Sequence, residues 1–139
     1  MRQKQILIVK EAAPVSEALI AGALSVLDSH DIASKVVEVP NISQIPAVVR
    51  FAVRTMELRT GEDKFSGYVL LGAAPAVQEP FAAVAMRTLF HGIQKLKMDY
   101  CLAIGQGVMF PEDTDAGKVG AEAAEECLRM LDIKRELGL

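Results

Sequence analysis

Tyr68-Val-Leu-Leu71 is an apolar run with no polar alternation, introduced by Phe65-Ser-Gly67 and closed by Gly72. A strand with one wet face alternates apolar and polar residues, whereas one covered on both faces does not. The run therefore predicts a strand inside a parallel sheet. A loop of mainly small residues follows, and after Pro80 the chain resumes with helical spacing. Ligands of open α/β sheets lie outside the carboxyl ends of the strands. Gly72 to Phe81 is thus expected to form one wall of any site. The plainer alternative is a strand-to-helix connection that binds nothing.

The rest of the chain repeats this grammar. Ile6-Leu-Ile-Val9 reads as a first strand. Pro14 and Ser16 open a helix through Val15, Leu19, Ala23, Val26 and Leu27, ending near His30-Asp31. Lys35 to Val39 reads as strand two, stopped by Pro40. Ile45-Pro46 starts a helix through Val49, Val53, Met56 and Arg59, and Gly61 to Lys64 makes a turn. The third helix carries Val84, Met86, Leu89, Phe90, Ile93 and Leu96. Tyr100 to Ile104 reads as strand four, continuing toward Val108. After a polar loop from Phe110 to Gly117, helical spacing runs from Val119 to Leu137, with Leu128 and Leu131 as its apolar stripe. Strand and helix alternate throughout, and right-handed crossovers then demand a parallel sheet with helices on both faces. The expected fold is a single α/β domain over residues 1–139, a three-layer α/β/α sandwich on a four-stranded parallel sheet.

With 139 residues, 51% of them hydrophobic, the chain can bury a core without disulfides or metals. Its net charge of -3, without a basic block, argues against nucleic acid and anionic membrane as partners. No apolar run approaches the roughly 18 residues of a membrane span. The opening Met-Arg-Gln-Lys-Gln lacks the apolar core and cleavage site of a signal peptide, so a cytoplasmic protein is expected. Cys101 and Cys127, far apart and outside any CxxC, are expected to be reduced, buried, small hydrophobes.

The strand ends exclude several chemistries. A phosphoacceptor site needs acidic residues after strands one and three, but Lys10-Glu11 and Gly72-Ala73 offer no acceptor Asp there. Glu11-Ala-Ala-Pro14 is not a phosphate loop, and no GxGxxG, Walker or GxSxG motif occurs. His30 and His91 lack partners at metal-ligand spacing and are read as structural or solvated.

In order, the segments resemble the 6,7-dimethyl-8-ribityllumazine synthase family. The resemblance rests on Ile6 to Val9, Leu19-Ile-Ala-Gly-Ala-Leu24, and Val37-Glu-Val-Pro40 with Ile45-Pro46, similar to V-P-G-A-x-E-I-P. It continues with Phe65 to Ala73, similar to a strand ending in L-G-A, then Cys101 to Val108 and Gly117-Lys-Val-Gly-Ala-Glu-Ala-Ala124, similar to G-x-K-G-x-E-A-A. The resemblance implies a cofactor-free condensation of a ribityl-aminopyrimidine with 3,4-dihydroxy-2-butanone 4-phosphate. It also implies a homo-oligomer, a pentamer or a multiple of it, with each site at a subunit interface. That chemistry requires donors and positive charge for the phosphate, a proton shuttle, and an aromatic face for the pyrimidine.

The positions that the resemblance marks as substrate-binding are Ala13, Asn41, Ile42, Ser43, Gln44, Ala73, Ala74, Gln78, Glu79, Gln106 and Lys118. Several depart from the family pattern. Glu11 to Pro14 replace its aromatic after strand one. Asn41 to Gln44 stand for Gly, Ala, an apolar residue and Glu, and Gln44 keeps the reach to bond a sugar hydroxyl. Ala76-Val-Gln-Glu-Pro-Phe81 replaces R-G-E/D-T and the shuttle histidine, so Phe81 stands at the histidine position and cannot carry a proton. Glu79 would repel a phosphate by about 4 kcal/mol at about 4 Å in an intermediate dielectric. The late arginine has no counterpart, Lys118 keeps one positive charge, and Glu112, Asp113 and Asp115 add negative charge near the expected rim. No residue is assigned as catalytic. The expectation is a lumazine-synthase-fold protein with weak or no condensation activity. One alternative is an authentic, divergent synthase. Another is an oligomeric scaffold, or a binder of a different neutral or cationic ligand lined by Ala12, Pro75, Val77 and Phe81.

Overall fold

The structure is a computed structural model that describes residues 5–58, 64–75 and 80–139. Strand β1 (Gln5–Glu11) leads into helix α1 (Ser16–Ser29), then β2 (Ala33–Val39). A 3-10 turn at Ile42–Gln44 runs directly into α2 (Ile45–Leu58), followed by β3 (Gly67–Ala73) and α3 (Ala82–Tyr100). β4 (Ile104–Met109) and α4 (Ala116–Glu136) complete the chain. The strands lie in the order β2-β1-β3-β4, and every pair is parallel.

β1 and β3 occupy the middle because their side chains are apolar on both faces. Ile6, Ile8, Val69 and Leu71 pack with α1 and α4, through Leu19, Ala23, Leu27, Ala124 and Cys127. Leu7, Val9, Tyr68 and Leu70 pack with α2 and α3, through Val49, Val53, Leu89 and Ile93. The alternation that is invisible in the sequence is thus a division between two cores. The expected α/β/α sandwich on a four-stranded parallel sheet is the observed fold.

Right-handed crossovers set the helix faces. The step from β1 to β2 runs one way across the sheet, while β2 to β3 and β3 to β4 run the other. α1 therefore lies on the face opposite α2 and α3. The winding reverses between β1 and β3, and open α/β sheets place their ligand crevice beyond the carboxyl ends at such a point.

The sequence reading differs from the structure in three places. Tyr100 ends α3 and does not begin β4; Cys101 adopts a left-handed backbone with φ 54°, and Leu102 N donates back to Lys97 O. This C-cap turns the chain before the strand can start. Cys101 is consequently exposed, whereas Cys127 is buried as expected. Finally, α4 starts three residues before Val119, and its buried stripe is Gly120, Ala123, Ala124 and Cys127, with Leu128 and Leu131 only half-buried beside it.

The small residues make this contact because α4 lies almost on the backbone of its neighbours. A Cβ on Gly120 would stand 1.9 Å from Leu19 O, and one on Gly105 1.7 Å from Ala123 O. Among the described residues, no helix is long and apolar enough to cross a membrane.

Candidate functional site

The crevice is built from three strand ends. Glu11 closes β1 and sits at the end of a buried β-branched run, where a charged side chain must find hydrogen-bond partners. Its Oε2 accepts from Ile42 N at 3.1 Å, and its Oε1 accepts from Ala73 N at 3.0 Å. One carboxylate therefore joins the start of the 3-10 turn to the end of β3. Gly72 leaves room for it: a Cβ there would meet Ile42 Cδ1 at 3.1 Å and Glu11 Oε1 at 3.3 Å. Hydrogen bonds to an ionised acceptor contribute about 1.5–3 kcal/mol each, so this tie is a substantial local restraint.

The neighbouring residue points to other partners. Lys10 Nζ reaches Glu17 at 2.9 Å and Glu38 at 3.3 Å. Its hydrogen bond to Glu17 raises the ammonium pKa above the ordinary lysine value, against the opposing effect of desolvation. The crevice end of β1 thus presents a carboxylate, while the adjacent cation is engaged by two others.

Ala13, Asn41, Ile42, Ser43, Gln44, Ala73 and Ala74 all lie at or beyond the carboxyl ends of β1, β2 and β3. Ala12 N donates to Val39 O at 2.8 Å, tying the first loop to β2. Asn41 caps the 3-10 turn by accepting from Ser43 N at 3.1 Å, and the Ser43 hydroxyl donates to the same oxygen. Ser43 and Gln44 are exposed at the rim, whereas Ile42 is buried beneath it. Ala74 N is engaged by Met109 O at 2.8 Å.

Gln106 and Lys118 stand on other elements. Gln106 pairs with Leu70 in mid-strand on the sheet edge, and its backbone N donates to Glu126 Oε1 at 2.8 Å. Lys118 is exposed in the first turn of α4. Phe81 occupies the N-cap position of α3 with 76% of its surface exposed. Gln78, Glu79 and Val77 lie outside the described residues; Ala12 and Pro75, the other apolar lining candidates, flank the crevice loops.

Two of the acidic loop residues have structural partners. Asp115 caps α4 by accepting from Lys118 N at 3.1 Å, and Asp113 accepts from Phe110 N at 2.8 Å. Among the described residues, no group of three or more His, Cys, Asp or Glu side chains is placed to hold a metal ion. His30 bonds within the end of α1 and His91 is exposed on α3. The feature that motif reading missed is the role of Glu11, whose only sequence signal is a charge at the end of a fully apolar strand.

A profile of the 6,7-dimethyl-8-ribityllumazine synthase family matches residues 3–135. The chain belongs to this family. The 6,7-dimethyl-8-ribityllumazine synthase of Paramagnetospirillum magneticum is 31% identical over 134 residues, covering 90% of this chain and 89% of the relative. That of Bartonella tribocorum is 27% identical over 150 residues, covering 99% and 95%. A solved diflavin flavoprotein from Nostoc aligns over the full length of both chains, but its TM-score of 0.41 at 13% identity bears on neither fold nor function. Family membership places the chain with riboflavin biosynthesis and transferase chemistry.

Proposed function

We propose that this lumazine-synthase-family chain catalyses the condensation weakly or not at all, and that its crevice suits a neutral or cationic ligand. The observation that carries this reading is the Glu11 carboxylate on the Ala73 amide, 3.0 Å away. It puts a negative charge, and an already engaged donor, at the β1/β3 strand ends, where an anionic substrate entering beyond the sheet would meet it. Phe81 supports the reading, since a phenyl ring cannot relay the protons of Schiff-base formation and phosphate loss. Loss of general acid–base catalysis lowers rates by about 100-fold to 10,000-fold. What remains is the alignment of two reactants.

On this reading the protein is cytoplasmic, needs no cofactor, and forms a homo-oligomer, a pentamer or a multiple of one. The placement of Gln106 on the edge strand β4 supports its contributing to a neighbour's site. A second reading, an active divergent synthase, is favoured by the 31% identity to the Paramagnetospirillum magneticum synthase.

One assay separates the two. The protein is incubated with the ribityl-aminopyrimidine and 3,4-dihydroxy-2-butanone 4-phosphate, and lumazine absorbance is followed against the uncatalysed reaction. The expected rate is close to background. A rate well above it, proportional to protein concentration, would establish the active synthase and overturn the proposal.

A further inference from the structure

We propose that Glu11 is a built-in occupant of an oxyanion cradle at the β1/β3 switch point, and that it determines which ligands the crevice admits. This rests on the reading of the crevice as the ligand site. The two donors come from separate elements, 31 and 62 residues further along the chain, yet both address one carboxylate. Ile42 N opens a 3-10 turn, where the first amides have no partner within the helix and are free to take an acceptor. Ala73 N closes β3, beside a glycine whose missing Cβ leaves space for the oxygen. Converging backbone amides at a strand end form a concavity suited to carboxylate or phosphate oxygens. In this chain the carboxylate is supplied by the protein itself.

The consequence is selectivity by charge. A ligand carboxylate or phosphate cannot enter without displacing Glu11 and meeting its charge. A neutral or cationic group can instead donate to the remaining lone pairs of the same carboxylate. Lys10 sits next in sequence, but it is held by Glu17 and Glu38. Removing the Glu11 side chain should convert the crevice from one that rejects small oxyanions into one that binds them.

The test uses the full chain and Glu11→Ala, with sodium acetate as the probe and sodium chloride at equal ionic strength as the reference. Melting temperature is followed as each salt is titrated. The native protein should respond to acetate no more than to chloride. The variant should melt several degrees lower in chloride and recover at least half of that loss in acetate, with saturation. If acetate and chloride act alike on the variant, or acetate raises native and variant equally, there is no cradle and the proposal falls. Should the variant not fold in chloride, recovery of its circular dichroism in acetate reads the same binding, and absence of recovery overturns the idea. Because the readout is folding, a fast condensation by the native chain would refute the proposed function without deciding this test.

Discussion

Glu11 and Tyr68 illustrate how much a single position depends on what lies across the sheet. The first three strands were legible because apolar runs and Gly/Pro punctuation are local signals. The partners of Glu11 were not, since they lie 31 and 62 residues away. Tyr68 is similar: the run shows that it is buried, but not that its hydroxyl has no hydrogen-bond partner among the described residues. Burial pushes the Tyr68 phenol from 10.0 up to about 12. It pushes the Cys127 thiol from 9.0 up to about 12, mainly by desolvation, against the opposing effect of backbone hydrogen bonds at Tyr68 and Gly105. Both groups stay neutral in the fold while the unfolded chain ionises earlier. Their contribution is therefore fully present below about pH 9 and is lost as pH rises toward 12. Urea midpoints measured from pH 8 to pH 12 should fall steeply over the upper part of this range. Cys127→Ala, which removes one of the two groups, should flatten the dependence. A midpoint independent of pH would contradict the burial of both.

At the scale of elements, the helices show where pattern reading succeeds and where it does not. α2 was legible because Ile45, Val49 and Val53 recur on one face and are all buried. α4 was less legible, because its large apolar residues do not mark its core face. Gly120, Ala123 and Ala124 do so instead, since only small residues let its backbone approach α1 and β4 so closely. Gly120→Ala and Gly22→Ala would place a Cβ 1.9 Å from a backbone oxygen of the opposing helix. Separating the helices enough to relieve this should cost about 1–3 kcal/mol by chemical denaturation. Gly92→Ala is the control, because its Cβ would meet Pro46 at an ordinary 3.5 Å. That substitution should stabilise α3 by about 0.5–1 kcal/mol, the usual difference between the two residues inside a helix. Equal effects at all three sites would mean that the α1–α4 contact is looser than described.

For the whole molecule, the two helical layers are unequal. On the α2 and α3 side, Phe51, Val84 and Met98 are 66%, 58% and 71% exposed. Val84, His91 and Met98 follow one another at seven-residue intervals, so they lie along one line of α3. Val84 and Met98 flank His91 on this line, and together with Phe51 they leave three large apolar side chains uncovered on this layer. The sequence supplied these residues but could not separate them from the core, because Val84 and Leu89 belong to the same helical pattern and only coordinates show which faces inward. The proposed homo-oligomer offers a natural cover for this layer. Val84→Asp combined with Met98→Asp should then release the assembly, since each would bury an unpaired charge at the interface while leaving the chain's own core intact. Sedimentation velocity should show native protein well above the mass of one chain and the double variant at that mass, with matching far-UV circular dichroism. A native protein that sediments as a single chain would exclude the oligomer. A double variant that stays assembled would place the interface on another face, such as the β4 edge where Gln106 lies.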